Sequence, residues 1–175
     1  RDRRETQLVV CLLFQYAGMS FVDFAHLKER NIKNGILDYN RQKTGTPMRL
    51  EILDTAELMR KELMGDKRPA SGYLFPFLSG TKTGYEAYLE YNAALSRFNR
   101  NLKALKKAAG IASDVTSYTI RHSFAMALKE QNVPIEMISE LLGHKSIKTT
   151  QIYLRSFSLE KMTEVNSTCF GCVYN

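Results

Sequence analysis

The sequence predicts an α+β domain, mostly helical, with one small antiparallel β-sheet. Three observations carry this. Apolar residues recur at helical spacing in several segments, most extensively over residues 85–109, where Tyr88, Tyr91, Leu95, Phe98, Leu102 and Leu105 fall on one face. Period-two alternation is confined to residues 36–52, where it is broken by a turn rich in Gly, Thr and Pro, the pattern of a hairpin. A chain of 175 residues, 44% hydrophobic, suits one domain with a sizeable core, and its apolar runs are too short to span a bilayer.

In chain order, residues 6–17 (TQLVVCLLFQYA) predict a buried helix that Gly18 stops. Ser20 then reads as an N-cap, with Asp23 at the third helical position and Met19 and Phe24 at staple spacing, opening a short helix to about Lys28. Residues 36–41 and 48–52 predict two strands joined by the turn from Gln42 to Pro47. Asp54 and Glu57 form a capping box for a helix through Met64. Residues 65–84 read as loop with one brief strand at 73–75, and residues 85–109 as one long helix or two joined near Asn92. Ser117 caps a helix that turns Ile120, Phe124 and Leu128 to the core. Pro134 opens the next, over residues 135–142, ended by Gly143. A last helix begins at Thr149, and the tail 158–175 carries an amphipathic pattern of Leu159, Met162, Val165 and Phe170.

Chemistry concentrates in residues 117–153. Breaking a phosphodiester without a metal needs an in-line nucleophile, cationic donors on the non-bridging oxygens and an acid for the departing oxygen. Tyr153 offers a nucleophile, Arg121 a planar fork that matches two phosphate oxygens, and His144 a further donor. Tyrosine near its ordinary pKa of about 10 attacks poorly at neutral pH, so neighbouring cations are needed to favour the phenolate. His122 follows Arg121 directly, points elsewhere on the helix and is read as structural.

The order R-H-S-F-A at Arg121, L-G-H at His144 and a tyrosine nine residues later resembles the tyrosine recombinase (phage integrase) family, in the wording of integrases of bacterial mobile elements. The resemblance implies a catalytic domain that cleaves and rejoins double-stranded DNA through a 3′-phosphotyrosyl intermediate, without cofactor or metal. It also implies a synaptic homotetramer on DNA, with the tail docking on a neighbouring subunit or on its own domain. It covers nearly the whole of residues 1–175 but not the family's N-terminal core-binding domain, and the opening Arg1 suggests a fragment of a longer protein.

Carried over residue by residue, the resemblance makes Lys43, in the K-T-G of the hairpin, the general acid for the leaving 5′-oxygen, and Asp23 the acidic residue that orients an arginine or histidine. Two positions depart from the family. Ser20 stands where the first of two catalytic arginines is usual, and Tyr118 where histidine usually precedes the second, as H-x-x-R. A compensating cation is expected from Arg41 or Arg49, and the general-base task passes to His144 or water. Lys145 and Lys148 are expected on phosphates, as is the basic face of the long helix. Two alternatives remain open: a DNA-binding module that has lost catalysis, and relaxation of supercoils in the manner of a type IB topoisomerase.

Composition agrees. Lys and Arg number 25 against 18 Asp and Glu, a net charge of +7 that favours a polyanionic partner. Three cysteines give no even disulfide framework, and Cys169 with Cys172 is a lone C-x-x-C, so zinc is not predicted and a reduced, cytoplasmic setting fits, which the resemblance further implies to be bacterial and nucleoid-associated.

Overall fold

The computed structural model of the chain describes residues 2–66, 72–154 and 162–163. Seven α-helices and one three-stranded sheet are present among these residues. Helix α1 spans Asp2–Gln15 and begins earlier than its apolar run, because Asp2 and Glu5 suit the positive end of the helix dipole and Arg4 forms a bidentate pair with Glu62. It ends on Ala17 and Gly18, both with positive φ. The second helix, α2 (Phe21–Ala25), is only five residues long. Leu27 leaves it to accept from the Leu74 amide, and Lys28 bridges to Tyr73, so the expected extension to Lys28 gives way to pairing with the loop. Of the brief strand expected at 73–75, this single bridge remains.

The sheet runs β1 (Ile32–Lys33), β2 (Ile36–Asn40) and β3 (Pro47–Glu51), all antiparallel, with Asp38 opposite Arg49. Its hairpin was legible; β1 was not, being two residues after a 3-10 turn at Glu29–Asn31. Helix α3 (Asp54–Met64) takes Leu53 as N-cap, one residue before the expected Asp54, and Glu57 pairs with Arg60 and Lys61 instead of closing a capping box. Helix α4 (Gly84–Ala108) is continuous, with Ala94, Phe98 and Leu102 buried and Tyr88 exposed despite its place in the apolar period. In α5 (Ser117–Glu130) the cap is Thr116, reciprocally bonded with Thr119, while the Ser117 amide donates to Asn99. Pro134 is likewise the N-cap of α6 (Ile135–Leu141), and Ser146 caps α7 (Ile147–Tyr153), two residues before the expected start. Apart from Met162 and Thr163, the tail pattern and Cys169–Cys172 lie outside the described residues. Among the described residues no helix is long and apolar enough to cross a membrane.

Packing fixes the elements that matter. Phe21 stacks on Phe98 at 4.7 Å and Phe24 on Phe75 at 4.1 Å, so α2, too short to persist alone, is held by its aromatic face. Phe14 meets Phe124 edge-on, and a Cβ on Gly18 would lie 2.9 Å from the Phe124 ring, so α1 and α5 approach at a spot that admits only glycine.

Candidate active site

Arg121 is 4% exposed, on a face of α5 where Ile120 and Ala125 are buried too. Burying a guanidinium requires partners, and two helix ends supply them. Arg121 donates through Nη1 to the Gly18 carbonyl, 2.9 Å away beyond α1, and through Nη2 to the carbonyl of Leu142, the C-cap of α6. Both carbonyls stand at the negative ends of helix dipoles.

Arg41, 7% exposed, reaches the same place from the end of β2. Its Nη1 donates to the Leu142 and Gly143 carbonyls, each at 3.1 Å, and its Nε faces Asp23 Oδ2 at 3.5 Å. The Asp23 carboxylate, 2% exposed, also accepts from the Gln42 amide at 2.7 Å and from the Ser20 hydroxyl at 2.5 Å. It therefore ties α2 to the start of the hairpin turn and orients Arg41. Ser20 does occupy the N-cap position, but its hydroxyl bonds to the Asp23 side chain and caps no backbone amide.

His144 follows Gly143, whose φ of +61° turns the chain out of α6. A Cβ there would lie 2.4 Å from Met48 Sδ and 2.7 Å from Arg41 Cδ, so glycine is required by the approach of the hairpin. The His144 ring lies between Arg121 Nη2, 3.2 Å from Nε2, and Thr150 Oγ1, 2.9 Å from Nδ1. Burial and the positive charges of Arg121, Arg41 and Lys43 push its pKa down to about 4, so the ring is neutral at pH 7.

The structure thus brings together Arg121, His144, Asp23, Ser20 and Arg41. Lys43 sits exposed on the hairpin turn, near enough for its charge to act on His144. Arg49 is exposed on β3 opposite Asp38, so of the two arginines weighed as the compensating cation, Arg41 is the one at the site. Tyr118 stands 60% exposed in the first turn of α5. Lys145 and Lys148 are exposed at the entrance to α7. Tyr153 is the last residue of α7; its side chain lies outside the described residues. Tyr39, buried near Asp23 and Arg41, has its pKa raised by burial and by Asp23, which keeps its phenol protonated. Sequence reasoning missed the Leu142 and Gly18 carbonyls, which have no side-chain signature, and the role of Thr150, visible only as the second Thr before Gln151.

Two buried guanidiniums and a neutral imidazole thus converge beside the hairpin that carries Lys43. The chain belongs to the phage integrase family, whose model matches residues 3–160. Among curated relatives, the tyrosine recombinase XerD of Lacticaseibacillus casei is 52% identical over 54 residues, 31% of this chain and 18% of the relative. The tyrosine recombinase XerC of Rickettsia typhi is 41% identical over 75 residues, 43% of this chain and 24% of the relative. The matches thus span under a quarter of those relatives' length. Among solved structures, XerH site-specific recombinase bound to palindromic difH substrate superposes with a TM-score of 0.67 at 21% identity, over 94% of this chain and 45% of that one. The Tn1549 transposon integrase in complex with a circular intermediate DNA gives 0.66 at 15% identity, over 91% and 57%. These two likenesses establish the fold, a tyrosine recombinase catalytic domain.

Proposed function

We propose that this chain is the catalytic domain of a site-specific DNA recombinase that cleaves and rejoins duplex DNA through a 3′-phosphotyrosyl intermediate on Tyr153. The observation that carries the reading is the convergence of Arg41 and Arg121 on the Leu142 carbonyl beside His144. In this reading the two guanidiniums hold the non-bridging oxygens of the scissile phosphate, where charge grows in the transition state. The Tyr153 oxygen attacks phosphorus in line, the P–O5′ bond breaks, and Lys43 protonates the departing 5′-oxygen. The 5′-hydroxyl of another strand reverses these steps and rejoins the DNA. Asp23 holds Arg41, and Lys145 and Lys148 contact flanking phosphates.

The biological setting proposed is integration, excision or inversion of a bacterial mobile element, by a homotetramer that pairs two sites on DNA in the cytoplasm. The likeness to a transposon integrase and to Xer recombinases supports it. Incubating the protein with a nicked duplex of its attachment site, followed by a denaturing gel, tests the chemistry. A covalent protein–DNA adduct is expected. Binding without an adduct would mark a DNA-binding module in place of a recombinase.

A further inference from the structure

We infer that Thr150 is a positioning residue that accepts the Nδ1–H bond of His144 and so keeps the Nε2 lone pair turned onto the Arg121 guanidinium. Arginine has hydrogens to donate and no lone pair to accept with. With Arg121 Nη2 at 3.2 Å, Nε2 of His144 must be the acceptor. A neutral imidazole carries its one remaining proton on the other nitrogen, so Nδ1–H donates to Thr150 Oγ1 at 2.9 Å. A doubly protonated ring would set N–H against N–H, with Arg121 on α5, Arg41 at the end of β2 and Lys43 on the hairpin all adding positive charge.

Thr150 is suited to this task by its place. It is completely buried in the first turn of α7, three residues before Tyr153, so its hydroxyl links the start of the nucleophile's helix to the ring. Valine has nearly the same shape but would bury the ring N–H against a methyl group, leaving a donor unsatisfied.

The catalytic consequence rests on the phosphotyrosyl reading. The ring so fixed holds the Arg121 guanidinium against the non-bridging oxygens while the Tyr153 oxygen gives its phenol proton to water and bonds to phosphorus, and the electron pair of the P–O5′ bond leaves with the 5′-oxygen, which Lys43 protonates. On rejoining, these steps reverse and a proton returns to the phenol. Thr150 therefore acts on the rate through His144 and Arg121.

The test is a long-range 1H–15N correlation spectrum of the chain, labelled at histidine, near pH 7, with His144 assigned by comparison with His144→Gln. The parent and Thr150→Ser are expected in the Nδ1–H form with the Nδ1 proton shifted downfield by its hydrogen bond, and Thr150→Val, with Arg121 still donating to Nε2, in the same form without that downfield shift. A parent in the Nε2–H form overturns the inference even if Thr150→Val does not fold, and so does a folded Thr150→Val whose Nδ1 proton keeps the parental shift. In single-turnover cleavage at saturating DNA, Thr150→Val should be slower by about tenfold or more, with serine restoring the rate. If the parent forms no adduct at all, the phosphotyrosyl reading fails, while the tautomer spectra still decide the role of Thr150.

Discussion

Arg41 and Arg121, one at the end of a strand and the other within a helix, donate to the same carbonyl oxygen, that of Leu142. Two cations sharing one acceptor repel each other, and Asp23 is the charged group that offsets them. In the proposed reaction the pair meets the charge that develops on the non-bridging oxygens of the scissile phosphate. We therefore expect Arg41→Ala to slow single-turnover cleavage about a hundredfold, the scale of one lost oxyanion donor, and Arg49→Ala to stay near the parental rate. Parental cleavage by Arg41→Ala would remove it as the replacement for the arginine missing at Ser20.

Asp23 accepts from Ser20, Gln42 and Arg41 at once. Asp23→Asn keeps the shape but forfeits the charge facing Arg41, and should cut the cleavage rate at least tenfold with little loss of DNA affinity. Ser20→Ala removes one contact of three and should fall within a few-fold of the parent. Paired rate and binding measurements check both; equal effects would leave Asp23 no role beyond bonding to Ser20.

Gly143→Ala should destabilise the fold by about 2 kcal/mol or more, from the left-handed backbone and from collision with Met48 and Arg41. Thermal unfolding reads this directly. A Tm within a degree of the parent would contradict the packing described for this turn.

The pH dependence of stability follows from His144. Its pKa falls from 6.5 in the unfolded chain to about 4 when folded, so the unfolded chain binds the proton first on acidification. The neutral ring's contribution is complete above pH 6.5 and is lost as the pH drops toward 4. Partial exposure of the ring limits the effect to about 1 kcal/mol. Between pH 6.5 and 5, before carboxylates such as Glu57 protonate, His144→Gln should unfold with a shallower pH slope than the parent. Identical slopes would mean the ring is not held neutral.

Much of this was legible in the chain because it is written in local patterns. The hairpin showed in the alternation around Thr44–Pro47, the long α4 in its apolar period, and Arg121 and His144, which the structure brings to 3.2 Å, in the R-H-S-F-A and L-G-H patterns. What was not legible depends on tertiary contacts. The caps at Leu53 and Thr116 each fall one residue before the expected residue: no side chain caps the helix at Leu53, and Thr116 takes the place of Ser117 through its reciprocal bonds with Thr119. The choice of Arg41 over Arg49 needed the approach of the hairpin to Gly143, which strand alternation alone cannot give. Acceptors that are backbone carbonyls, at Gly18 and Leu142, leave no trace in residue type.

The central claim is tested most directly by locating the covalent bond. Protein trapped on a nicked attachment-site duplex, digested with nuclease and protease and read by mass spectrometry, should carry a nucleotide 3′-phosphate on the peptide containing Tyr153. Tyr153→Phe should bind the same DNA and yield no modified peptide. A modified peptide that lacks Tyr153, or an adduct that persists in Tyr153→Phe, would contradict the assignment.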